Sequence, residues 1–145
     1  MKNFCAVAAL VALPALSLAG CATASGPEPS AASATLRLGE TARIGGLAVR
    51  ALRVEEDSRC PSNVQCIQAG TVRLAVALGA ARAGGRETVL RLDEPVEVEP
   101  RRWLRLAAVC PYPRAPGPTA PSAYRFLLAA ATGGPPPPPD FACPP

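Results

Sequence analysis

The sequence predicts an all-β domain: a small antiparallel β-sandwich of immunoglobulin-like kind, or a partly open barrel, reinforced by disulfides. Three features predict it. Short runs of apolar and polar residues alternate between residues 35 and 131, Gly- and Pro-containing turn signals separate them, and no long amphipathic helical pattern intervenes. About seven short strands at that spacing suit a sandwich or a small barrel.

The first strand candidates are Leu36–Leu38 and Ala42–Ile44, divided by Gly39-Glu40 and followed by Gly45-Gly46. Leu47–Val54 is apolar but slips in phase, since Leu47 and Val49 share one parity and Leu52 and Val54 the other. A β-bulge near Arg50 or Ala51 reconciles them. Thr71–Leu78 is the cleanest element: Val72, Leu74, Val76 and Leu78 alternate with Thr71, Arg73, Ala75 and Ala77, the period of a half-buried strand. Thr88–Leu92 follows the turn region Gly79–Gly85, and Asp93-Glu94-Pro95 separates it from Trp103–Val109. In Tyr124–Ala130, Tyr124, Phe126 and Leu128 face one way and Arg125 the other.

The ends read differently. Residues 1–20 have a short positive start at Lys2 and an apolar stretch from Phe4 to Leu16, too short for a spanning helix of about 20 residues but suited to a signal peptide. They lead into Leu18-Ala19-Gly20-Cys21, which has the form of a lipobox: a branched aliphatic, two small residues and the cysteine. Small neighbours leave the Cys21 thiol open to transfer of a diacylglyceryl group. Cleavage before Cys21 then frees an amine for a further acyl chain, and two or more chains make membrane anchoring stable. The expectation is a lipoprotein anchored through Cys21, with Ala22 in the next position pointing to an outer membrane. Residues 21–34 continue as a small, polar, Pro-punctuated tether. Residues 132–145 form a Pro-rich tail, with Pro135–Pro139 a polyproline spacer and Cys143 near its end.

Composition narrows the function classes. Of 15 basic residues Lys2 is the only lysine, so the chain beyond the leader carries 14 arginines against 11 acids, a net charge of +3. These arginines are dispersed among apolar residues. That is the pattern of a solvated sheet face, and no nucleic acid is expected as a partner. Without His, and without Lys beyond the leader, a serine or cysteine nucleophile has no side-chain base. Paired carboxylates from Glu55, Glu56, Asp57, Asp93 and Glu94 are what remains for acid–base chemistry, and adjacent acids on strand ends are ordinarily solvated. The expectation is no enzyme, no metal and no cofactor.

With Cys5 in the leader and Cys21 lipidated, four cysteines remain: Cys60, Cys66, Cys110 and Cys143. An even number in an exported chain reads as disulfides, and four cysteines allow three connectivities. The expected one is Cys60–Cys66 with Cys110–Cys143: the first closes a short loop containing Pro61 and Asn63, and the second pins the tail. The alternative is a thiol-redox or metal-handling protein using Cys60 and Cys66. It departs from the two-residue dithiol gap and from the His-containing ligand sets that such sites use.

The most distinctive stretch is Glu56-Asp57-Ser58-Arg59-Cys60-Pro61-Ser62-Asn63-Val64-Gln65-Cys66-Ile67-Gln68-Ala69-Gly70. It resembles a DSRCPxxVxCxxAG segment of small uncharacterised bacterial exported proteins and lipoproteins. A later Pro111-Tyr112-Pro113 and the closing Tyr124–Leu128 strand are also similar, and Gln68 stands where an aromatic is common. The resemblance covers most of residues 35–131 and implies a loop between two strands, with no activity attached. From the residues themselves, Asp57 and Ser58 can start a turn, Arg59 can donate to carbonyls or to neighbouring acids, and Gly70 lets the chain re-enter a strand. Asp57, Arg59, Asn63 and Gln65 are the candidate residues of a rigid recognition loop at a sandwich end. The function expected from all of this is a membrane-anchored envelope lipoprotein, a non-catalytic structural or binding module for another envelope protein or a cell-wall polymer.

Overall fold

The computed structural model describes residues 31–79, 85–138 and 140–143. The expected signal peptide, Cys21 and the first part of the expected tether lie outside them. Eight strands follow in order: β1 (Ala32–Leu36), β2 (Thr41–Ile44), β3 (Leu47–Asp57), β4 (Val72–Leu78), β5 (Arg86–Arg91), β6 (Val96–Glu99), β7 (Arg102–Cys110) and β8 (Arg125–Thr132). They form two antiparallel four-stranded sheets, ordered β1-β8-β7-β6 and β2-β3-β4-β5, which do not close into a barrel. Among the described residues there is no α-helix, only a short 3-10 turn at Pro121–Ala123.

The core lies between the sheets and comes from the alternation expected. In β4, Val72, Leu74 and Val76 are fully buried, and they face Leu104, Leu106, Phe126 and Leu128 of the other sheet. Each such side chain contributes about 1.5–3 kcal/mol on burial, so a short sandwich can assemble without large aromatics.

Several boundaries differ from the sequence reading. β1 starts at Ala32, so residues 32–34, expected as tether, are strand: Ala32 pairs with Ala130 and Ala34 with Leu128. A strand edge is recruited by backbone pairing, which small side chains allow and hydropathy does not reveal. Leu38 instead precedes a turn at Gly39 (φ 82°). β3 runs on to Asp57, and its bulge falls at Leu52, between Ala51 and Arg53, with a second irregularity between Val54 and Glu56. β6 was not anticipated at all, because Pro95 and Pro100 bracket its four residues and read as one long turn.

The tail is more than a spacer. In β8, Phe126, Leu128 and Ala130 face the core, yet the alternate residues Leu127, Ala129 and Ala131 are also buried, at 7%, 5% and 5% exposure. Cys110 follows core-facing Val109 and so points to the outer face of this sheet, where it is bonded to Cys143. Between Thr132 at one end of β8 and Cys143 at the other, the proline segment therefore runs back along that outer face. Pro136 is among the fully buried side chains. At about 3.1 Å per residue the path from Thr132 to Cys143 is more than long enough to run the length of a strand of about eight residues at 3.3 Å. The strap gives the outer face of β8 a second apolar layer. It also leaves Arg105 Nε on that face buried without a hydrogen-bond partner.

Candidate functional site

Strand register defines two ends. The chain enters at Ala32, beside Ala130 of β8, where the β2–β3 hairpin at Gly45-Gly46 approaches Ala32, Ala130 and Arg102. At the opposite end lie the β3–β4 connection (residues 58–71), the β7–β8 connection (residues 111–124) and the Cys110–Cys143 bridge. The candidate recognition loop belongs to this loop end.

Its neck is closed by Ser58 and Thr71: Ser58 N–H donates to Thr71 O at 2.9 Å, and Thr71 N–H donates to Ser58 Oγ at 3.0 Å. Gly70 sits so tightly in this neck that a Cβ there would lie 1.6 Å from Ser58 O. No side chain fits. Within the loop, Cys60 is bonded to Cys66.

Asp57 and Arg59 hold the loop to the sandwich. The Arg59 guanidinium donates to both Asp57 oxygens, at 2.9 and 2.7 Å, and reaches across to the carbonyls of Val109 and Pro111. Tyr124 Oη donates to Asp57 Oδ2 at 2.8 Å. The Arg59 and Asp57 side chains are only 8% and 10% exposed, a burial that ion pairs tolerate when further hydrogen bonds satisfy them. Burial alone raises the Asp57 pKa, but the hydrogen bonds from Arg59 and Tyr124 outweigh it and hold the carboxyl below its ordinary value. Tyr124 moves the other way: burial, then its bond to the Asp57 carboxylate, raises the phenol above its ordinary value.

A second set of bonds docks the loop on the β7–β8 connection. Asn63 Nδ2 donates to Ala115 O at 2.7 Å, Asn63 Oδ1 accepts from Ala115 N–H at 2.8 Å, and Ser62 N–H donates to Pro113 O at 2.9 Å. The amide thus imitates a strand pair and joins two loops that sequence places about 50 residues apart.

These contacts redistribute roles among the four candidate residues. Asp57 and Arg59 are turned inward and hold the loop to the sandwich; Asn63 is exposed but its amide is committed to Ala115, and Gln65 is exposed with no such role. The residues that sequence reasoning overlooked are apolar. Exposed large hydrophobics among the described residues are Val64 (46%), Ile67 (104%), Tyr112 (61%) and Phe141 (37%). Val64 and Ile67 belong to the loop, Tyr112 to the connection docked against it, and Phe141 lies two residues before Cys143. The available signal was position: Val64 lies inside the Cys60–Cys66 loop, Ile67 just after it, Tyr112 between two prolines and Phe141 in the tail, all outside the strand patterns.

The acids considered for catalysis do not converge. Glu55 pairs with Arg53 and Arg73, Glu56 lies 4.0 Å from Arg73, and Glu94 pairs with Arg91, all on exposed surface. A groove of about 460 Å³ beside them is lined by Glu56, Thr71, Arg73, Val89 and Arg91. Among the described residues no group of three or more His, Cys, Asp or Glu is placed to hold a metal, and no helix is long and apolar enough to cross a membrane. Compared with protein-family models, curated proteins and solved structures, the chain finds no match.

Proposed function

We propose that this chain is a membrane-anchored lipoprotein of the cell envelope and that its domain is a non-catalytic binding module. The observation that carries the reading is an arrangement: the lipobox Leu18–Cys21 precedes a strand that enters the sandwich at one end, while the rigid, apolar loops stand at the other. A lipid at Cys21 tethers the entry end and leaves the loop end for contact. Dispersed acids, with Glu55 and Glu94 drawn into exposed ion pairs and Asp57 into a buried one, and the absence of His favour binding over catalysis. The partner class is another envelope protein or a cell-wall polymer, and Ala22 after the cysteine favours the outer membrane.

The direct test is Cys21→Ser in the full chain. The substitution is expected to abolish acyl-chain mass on the mature protein and to move it from the membrane to the soluble fraction. Retention in the membrane with unchanged mass would refute lipid anchoring at Cys21.

A further inference from the structure

We infer that the loop end docks a partner protein by inserting Ile67, with Val64 of the same loop and Tyr112 of the connection docked on that loop, into an uncharged apolar cleft on that partner. The inference rests on the binding-module reading above and names the surface and the kind of partner.

Exposure comes first. Ile67 is fully exposed at 104%, and Val64 and Tyr112 at 46% and 61%. Scattered exposed apolar side chains need no explanation, but these three sit on two segments that hydrogen bonds from Ser62 and Asn63 lock together. The Cys60–Cys66 bridge and the Asp57–Arg59 pair fix the loop further. A preorganised surface avoids much of the ordering cost of association.

Charge identifies the occupant. Residues 60–70 contain no Asp, Glu, Lys or Arg, and residues 110–123 contain only Arg114, in a chain that is 18% charged. A neutral tip matches a neutral cleft, since a charged one would be desolvated without compensation. The same neutrality disfavours a lipid surface, whose headgroups attract basic clusters. Gln65 and Gln68 stand exposed beside the apolar side chains; hydrocarbon leaves amides unsatisfied, whereas a protein cleft supplies donors and acceptors. Tyr with small amides is also a composition that protein-binding loops use. A second copy of this chain is a poorer host. Among the described residues, grooves of about 460, 290 and 230 Å³ are each lined by at least one arginine, among them Arg73, Arg37 and Arg102.

Placement agrees. The ten residues between Cys21 and Ala32 reach at most about 35 Å, and the 11 residues of β3 span about 36 Å. A chain anchored at Cys21 and entering at Ala32 is tethered by the end opposite the tip, and the tether's reach, about the length of the sandwich, leaves the tip accessible to other envelope components.

The test uses the full-length chain in the cells that make it. Ile67 is replaced by a photo-crosslinking phenylalanine, and Arg43 at the entry end by the same group in a control. A discrete adduct with one protein is expected from position 67 and not from position 43. That protein, once purified, is expected to bind the domain, and binding is expected to fall at least about tenfold with Tyr112→Ala at unchanged thermal stability. The inference is overturned by adducts to lipid alone, by adducts of two copies of this chain, by equal adducts from both positions, or by none. Fractionating the same cells separates the two readings: a soluble chain that still crosslinks refutes the anchor and leaves the docking inference standing.

Discussion

The two ends of the sandwich are built by different physics. At the entry end, local turns suffice: Gly45 and Gly46 (φ 55° and 85°) close the β2–β3 hairpin, and Arg101 (φ 62°) donates its N–H to Glu97 Oε1 at 2.7 Å. The ion pair there, Arg102–Glu99, is exposed at 37% and 53%, a setting in which such pairs contribute about 0–1 kcal/mol. At the loop end, the Cys60–Cys66 bridge and the buried Asp57–Arg59 pair fix the loop locally. Cys110–Cys143, Tyr124 and the bonds from Arg59 to Val109 and Pro111 hold segments that are distant in sequence. Constraint is concentrated where apolar side chains point outward. A loop that cannot bury its own hydrophobics has no core to fix it, so covalent and polar bonds do so instead.

The largest expected effect tests this contrast directly. Asp57→Ala leaves Arg59 buried without its counter-ion and is expected to cost about 4 kcal/mol, whereas Glu99→Ala at the entry end should stay within about 0.5 kcal/mol. Paired denaturant titrations measure both, and equal losses would erase the distinction. Replacing Cys110 and Cys143 together by Ala frees the strap across a separation of 33 residues, with an expected loss of about 4 kcal/mol on the loop-entropy account. The apolar strip at Leu127, Ala129 and Ala131 should then bind a hydrophobic dye; an unlabelled sheet would mean that the strap does not cover it. Gly70→Ala, with backbone 1.6 Å from the new Cβ, is expected to cost about 3 kcal/mol, at the upper end of overpacking losses.

Smaller effects sharpen the picture. Because Asp57 is held below its ordinary pKa when folded, its contribution is present above the unfolded value of about 3.9 and lost as pH falls through the folded one. Tyr124 is raised, so its contribution is present below about 10 and lost as pH climbs through its folded value. Asp57→Asn should flatten the acid limb of a melting-temperature profile, and Tyr124→Phe the alkaline limb; unchanged limbs would place the pH dependence elsewhere. Smallest of all, Ile67→Ala should change stability by less than about 0.5 kcal/mol, since its side chain touches solvent on every side. A large loss would mean that Ile67 belongs to the fold rather than to a docking surface.

Local periodicity and residue chemistry made much of this legible. The parity of Val72, Leu74, Val76 and Leu78 determined which face of β4 is core, and the phase slip at Leu47–Val54 announced a bulge before its residue was known. Four cysteines, read as those of an exported chain, led to the pairing of Cys60 with Cys66 and Cys110 with Cys143, which the structure contains. What escaped was everything set by partners far along the chain. β1 and β6 are strands because β8 and β7 lie beside them, and a polar residue such as Arg59 or Asn63 looks the same in sequence whether it faces solvent or a carbonyl about 50 residues away.

The sequence by itself determined the sheet-forming pattern, the cysteine count and the absence of histidine, because these depend on residue type and near neighbours alone. Only the tertiary structure decided that Asp57 and Arg59 turn inward, that Asn63 bonds Ala115, that the proline tail lies along the outer face of β8, and that Val64, Ile67 and Tyr112 are left outside. Burial is a property of what folds over a residue, and long-range register settles that.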